Sequence, residues 1–356
     1  MILYFLFFYL LGESVASSCS NQSTSSNFSN KVMCYFKGHM DEIDITLIDL
    51  DPKKLPSECE VIIYSRFKIN ELSIIDVDEE LLKNVTDTNK PVIVRLFRTN
   101  FYDDWSKVLS SNGNSKEAKI LCDFAKKNKI KGYLIKSIAP HETTGYFAFN
   151  ENIGKYIIPY IKQLKECNLI IGVTINTAPS LIQNLCVYNY DELNGIVDFY
   201  EVDTYFMNKC NPNLYNGRTP ITKSEHGPNY LYGMEEVASY IKKSKISQDK
   251  LAFAVELYPA NNNSTYFSSY TQVCTGQFDN SSWCVQTSRN LYDKGKFVRK
   301  LNGGILIEYL EFDDINNDCG CNSTFNGFKN IIGGFKSGQL SPCQNFDVQS
   351  TSYTLK

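Results

Sequence analysis

Histidine and tryptophan are scarce here: three and two in 356 residues. The cysteines include no C-x-x-C pair, and the nearest two are Cys319 and Cys321. Without such pairs, or histidines to complete a set, a zinc site is not expected. No G-x-G-x-x-G follows the first strand-like run, which argues against a dinucleotide cofactor. Positive charge is neither in excess nor clustered: the net charge is −3 and there is no basic block or aromatic–basic stripe, so nucleic acid is not an expected partner. After the N-terminus no apolar run reaches the ~18 residues that a membrane helix needs. No metal, cofactor or membrane insertion is therefore expected, and a monomer is.

Apolar residues do concentrate at the start. Met1 to Gly12 reads MILYFLFFYLLG, followed by the small residues Ser14-Val15-Ala16-Ser17. A run of this length matches a signal-peptide core and is too short to span a bilayer. Twelve scattered cysteines agree with an oxidising, extracellular destination and read as disulfides. Sequons begin at Asn21, Asn27, Asn84, Asn262, Asn263, Asn280 and Asn322. Each is a surface-glycan expectation, provided that the chain is secreted.

Between these features the chain alternates two patterns. Short β-rich apolar runs occupy 31–36, 61–65, 91–97, 132–138, 169–175, 195–205, 251–258 and 303–310. Amphipathic helical stretches fall at 116–127, 153–166, 234–244 and 291–301. Buried runs alternating with helices predict parallel strands with crossover helices. Eight such units in about 340 mature residues predict a closed (β/α)8 barrel, with a doubly wound open sheet as the alternative. The expected division is a signal peptide at 1–17, a Ser/Asn-rich segment at 18–30, the barrel at 31–321 and a C-terminal tail at 322–356.

The strand residues resemble the chitinases of glycoside hydrolase family 18. Val32-Met33-Cys34-Tyr35-Phe36 and Cys59 with Val61-Ile62-Ile63-Tyr64 are similar to the family's first two strands. Asn100-Phe101 falls where the family has W-N-F. Val197-Asp198-Phe199 with Thr204-Tyr205 resembles V-D-F-x-x-x-M-T-Y-D, and Lys250-Leu251 to Tyr258 resembles the seventh strand. Gly303-Gly304 to Asp313-Asp314 resembles the eighth. The resemblance implies a chitinase-like TIM barrel, a Cys34–Cys59 bridge, and a bond from Cys274 to Cys319 or Cys321. The connection between strands seven and eight, 260–302, is shorter than the family's insertion domain. A Cys19–Cys343 link between the two tails is one pairing left open, since connectivity cannot be deduced from the sequence.

At the family's catalytic motif, D-G-x-D-x-D-x-E, the sequence departs. Lys131, Leu134, Lys136 and Ile138 stand at its four acidic positions. The last of those acids protonates the glycosidic oxygen, and the one before it orients the substrate's acetamido group. Isoleucine has no proton to donate, and lysine repels the cationic transition state. Glu308 stands where the family has its floor tryptophan, Asp203 for Met, Phe206 for Asp, and Arg95-Leu96-Phe97-Arg98 for S-x-G-G. By strand alternation and the family match, Arg66, Arg95, Lys136, Glu201, Asp203, Glu256 and Glu308 point inward beside Tyr35, Tyr205 and Tyr258. Their charges are expected to pair and plug the sugar pocket. The alternative is a reshaped polar ligand site. The resemblance thus implies a catalytically inactive secreted protein that binds chitin or another glycan, or an extracellular receptor, in a growth-factor-like, effector or immune-modulating role. The competing readings are a weakly active or repurposed hydrolase of chitin or N-acetylglucosamine glycans, and a storage protein.

Overall fold

The computed structural model describes residues 28–38, 49–109, 114–139, 150–182, 188–205, 207–208, 210, 219–223, 232–260, 268–277, 283–345 and 347. The expected signal peptide, Cys19, Cys186, Phe206 and the sequons at Asn21, Asn27, Asn262, Asn263 and Asn280 lie outside the described residues. Asn84 and Asn322 lie within them, and both are exposed.

Eight parallel strands close on themselves. In chain order they are β1 (Val32–Phe36), β2 (Val61–Tyr64), β5 (Val92–Arg98), β6 (Gly132–Ile135), β7 (Ile170–Asn176), β8 (Phe199–Asp203), β9 (Leu251–Glu256) and β10 (Gly304–Glu308). Each pairs with its neighbour, β10 pairs with β1, and β2 pairs with β5 across an antiparallel hairpin, β3 (Phe67–Ile69) and β4 (Ile75–Val77). The hairpin extends the wall, because β3 also pairs in parallel with the end of β5. The strands are buried on both faces, so their runs are continuously apolar and β-branched.

Around the barrel run α1 (Glu79–Thr86), α2 (Phe101–Val108), α3 (Ser115–Lys127), α4 (Glu151–Lys165), the short α5 (Pro179–Ile182), α6 (Tyr190–Ile196), α7 (Met234–Lys243), α8 (Tyr270–Cys274), α9 (Ser288–Lys300) and α10 (Asn326–Phe335). Their starts are set by side-chain caps: Asp78 accepts from Leu81 N, Asn114 from Glu117 N, and Thr287 opens α9 with a capping box. Residues after Cys321, which the sequence reading sets apart as a tail, supply α10, and most of its residues are buried. It lies on α9 so closely that a Cβ at Gly334 would meet the Tyr292 carbonyl at 1.9 Å, and one at Gly295 the Ile331 carbonyl at 2.0 Å.

Alternation along the strands sorts the core into two layers. Outward residues such as Val32, Cys34, Ile62, Tyr133 and Val202 meet the helices. Inward residues, among them Met33, Ile63, Ile93, Leu134, Phe199, Ala254 and Leu306, fill the barrel. Phe28 closes the floor against Phe199, with ring centroids 4.7 Å apart. Phe199 fits because residue 172 is glycine: a Cβ there would lie 2.3 Å from the ring.

Disulfides join Cys34–Cys59, Cys122–Cys167, Cys210–Cys284, Cys274–Cys319 and Cys321–Cys343. The Cys19–Cys343 pairing is ruled out: Cys343 is held by Cys321, because the chain after α10 folds back beside Cys319 and Cys321. Asp314, Cys319 and Cys321 converge, but both sulfurs are spent in disulfides. Among the described residues no helix is long and apolar enough to cross a membrane.

Candidate functional site at the strand C-termini

Function in such barrels sits at the C-terminal ends of the strands. Here the centre of that face is filled by Lys136, which follows β6 and is 2 % exposed. Its ammonium donates to Glu201 at 3.2 Å and to the hydroxyls of Tyr205 at 2.9 Å and Tyr35 at 3.4 Å. Asp203 and Glu308 each approach it to 3.8 Å. Glu201 is fully buried and well satisfied, accepting also from Tyr35 Oη at 2.5 Å and from Thr174 Oγ1. The cation lies 5.5 Å from the ring of Tyr35 and 4.9 Å from that of Tyr205.

Three carboxylates around one ammonium, with the Arg95 guanidinium acting on Asp203 and Glu308 from the side, leave an imbalance. Among the described residues neither oxygen of Glu308 has a hydrogen-bond partner, and neither has Asp203 Oδ1. Burial pushes the Asp203 carboxyl up to about 7, and the Glu201 charge adds to this, while Lys136 opposes it. Burial likewise holds Glu308 well above the usual carboxylate range, against the pull of Lys136. A carboxyl that keeps its proton near neutrality relieves the crowding.

Lys136 pairs with Glu201, Asp203 and Glu308, but the seven inward charges do not form one cluster. Glu256 faces another neighbourhood, where it accepts from Thr219 at 3.1 Å and lies 3.5 Å from Gln286 Nε2. Lys294 reaches the same Thr219 and Gln286. Tyr258 packs beside Tyr309 and Phe312, at 5.4 and 5.7 Å. Arg66 and Arg95 border a separate cleft of about 390 Å³ with Lys37, Lys68, Phe97, Phe101 and Tyr309. Arg95 stacks 4.9 Å from Phe97 and 5.7 Å from Tyr35.

The four lost-motif positions also separate. Lys131 is exposed at the start of β6, and Leu134 lies in the barrel filling. Ile138 turns into the outer core instead of the pocket. Ser137, with φ 58°, breaks the strand alternation before it, and the Ile138 carbonyl accepts from Tyr188 Oη at 2.5 Å. Other motif residues do structural work. Asp198 accepts from Ile171 N and Lys165 Nζ, and Asp313 holds the first amides of α10 at Gly327 and Phe328. Sequence reasoning missed Thr174, which the parity of Gly172 would have revealed. It also missed Tyr309, whose left-handed backbone takes it off the alternation, and the Thr219, Gln286 and Lys294 set, which no local pattern signals.

No protein-family model matches the chain, and no curated protein matches it. Solved structures do. Catalytic domain 2 of an Ostrinia furnacalis group II chitinase superposes with a TM-score of 0.72 at 15 % identity, covering 88 % of this chain and 98 % of that one. Human YKL-39, described as a pseudo-chitinase with retained chitooligosaccharide binding, gives 0.65 at 15 %, covering 86 % and 99 %. An immunomodulatory active chitinase of Trichuris suis gives 0.66 at 15 %, covering 85 % and 100 %. Both active and inactive proteins share this architecture, and the present chain has the chitinase-like (β/α)8 barrel fold of glycoside hydrolase family 18.

Proposed function

We propose that this is a secreted chitinase-like protein that binds an extracellular glycan and does not hydrolyse chitin. The observation that carries the reading is Lys136. It stands where the resemblance has the acid that orients the acetamido group, and its ammonium occupies the barrel centre against Glu201, Asp203 and Glu308. A cation there opposes an oxocarbenium-like transition state by Coulomb repulsion. Ile138 offers no proton and points away. Glu308, in place of the stacking tryptophan, presents no flat face to a sugar. Secretion is supported by five disulfides and the apolar N-terminus. Glycan binding without turnover is the behaviour described for YKL-39, which shares this fold. An effector or immune-modulating role is the biological setting we favour for such a protein.

The test is turnover of a fluorogenic chitooligosaccharide from about pH 4 to about pH 8, beside a glycan array. We expect no release above background and retention on a subset of glycans. Release that disappears in Glu308→Gln would overturn the inactive reading.

A further inference from the structure

The cleft beside the barrel centre differs in chemistry from the groove of a protein built for neutral chitin. Its walls come from the end of β2, the β3–β4 hairpin, β5 and the residue after β10. Four cations line it, Lys37, Arg66, Lys68 and Arg95, against two carboxylates, Asp76 and Asp78. Lys37, Arg66 and Lys68 have partners of their own, and they set the sign of the field. Arg95 is placed differently. Among the described residues its buried Nε has no hydrogen-bond partner; Asp203 and Glu308 make their ion pairs with Lys136 and act on Arg95 only through space, while Tyr309 hydrogen-bonds it. Its guanidinium is braced by the rings of Phe97 and Tyr35, a mounting that leaves the planar donor fork defined in direction.

Aromatic faces adjoin this fork. Phe101 is 57 % exposed and meets Phe97 edge-on at 4.8 Å. Phe101 and Tyr309 both hold left-handed backbone conformations, φ 50° and 62°. Bulky residues rarely adopt that region, and such strain gathers where a side chain must be aimed. Two strained aromatics on one cleft, over one braced guanidinium, form a sugar platform with an anion anchor. The volume of about 390 Å³ lies within the range of small-ligand sites.

Building on the glycan-binding reading, we propose that this cleft binds an acidic saccharide, with a ring against Phe101 and Tyr309 and its carboxylate or sulfate paired with Arg95. The probes are hyaluronan tetrasaccharide (carboxylate), chondroitin sulfate tetrasaccharide (sulfate and carboxylate), chitotetraose (neutral) and inorganic sulfate, titrated calorimetrically into the full chain. We expect the acidic tetrasaccharides to bind at least about tenfold tighter than chitotetraose, and Arg95→Gln to erase that margin. Exposed-position variants guard against misfolding. Lys68→Glu should weaken the acidic sugars about threefold and leave chitotetraose unchanged, and Phe101→Ala should weaken all saccharides. Chitotetraose bound as well as the acidic sugars would overturn this inference while leaving glycan binding intact. Binding of no saccharide would overturn both. Inorganic sulfate bound as tightly as the tetrasaccharides would overturn the saccharide assignment.

Discussion

Two buried ion clusters flank this barrel wall, and they are built on opposite principles. Outside the barrel, Arg98 meets Glu117 with both side chains fully buried. The carboxylate takes both guanidinium nitrogens and also accepts from Tyr160 Oη at 2.7 Å and Ser73 Oγ at 2.7 Å. The indole of Trp105 stacks 3.9 Å beneath the guanidinium. One charge of each sign, forked and capped by hydroxyls, is a balanced pair. Inside, Lys136 serves three carboxylates, and Glu308 is left with no hydrogen bond among the described residues. The outer cluster ties α3 and α4 to β5 and the hairpin, so it reads as structural. The inner one is frustrated in the way that polar groups at functional faces often are.

The comparison breaks most visibly if the outer pair is dispensable. Glu117→Ala leaves a buried guanidinium without its counter-charge and strands the Tyr160 hydroxyl. We expect a loss of about 3–5 kcal/mol in denaturant unfolding. A loss below about 1 kcal/mol would mean that the pair contributes no more than an exposed one.

The inner cluster should show itself through pH. Asp203 titrates near 7 in the folded protein and near its ordinary 3.8 in the unfolded chain, because burial disfavours its charged form. Asp313, also buried, is raised to about 6 despite the amides of Phe328, Asp314 and Gly327. With folded values above unfolded ones, the native state binds more protons. The stabilisation is fully present below the unfolded values and is lost as pH rises through about 7. Lys136, Glu201, Arg95, Tyr205 and Glu308 act on Asp203 and set the size of the effect. Between about pH 5 and about pH 8 we expect stability to fall by about 4 kcal/mol, roughly two thirds of it from Asp203, read as a melting temperature lower by several degrees. Asp203→Asn should flatten most of that slope. A rise toward pH 8 would contradict the assigned frustration.

How much of this was legible follows the same divide. The eight barrel strands stood out because parallel strands buried on both faces are written as unbroken apolar runs. The β3–β4 hairpin did not, since its strands are three residues long with exposed middles. Strand alternation located Arg95, Lys136, Glu201 and Glu308 on the inner face. It failed one step later, at Ser137 and Tyr309, where left-handed residues reset the direction of the next side chain and sent Ile138 outward. Nothing local could foretell that Glu256 would choose Thr219 and Gln286, because those partners lie 37 and 30 residues away. The outer pair was equally silent, with Arg98 and Glu117 on separate elements 19 residues apart.

The finest test separates charge from shape at the inner site. Glu308 is 1 % exposed, carries no hydrogen bond among the described residues, and stands 3.8 Å from the shared ammonium. Glu308→Gln keeps its volume and removes one of three competing anions. If the crowding is as costly as the geometry implies, the variant should gain about 0.5–1 kcal/mol where the native carboxyl is ionised, and that gain should vanish as falling pH protonates it, because burial holds Glu308 above the usual carboxylate range. Arg98 and Glu117 supply the control: the matching isosteric change, Glu117→Gln, should destabilise, because there the anion is matched one to one. Equal losses in both variants would show that the two clusters are alike in balance, and that Glu308 is held by Lys136 as firmly as Glu117 is by Arg98.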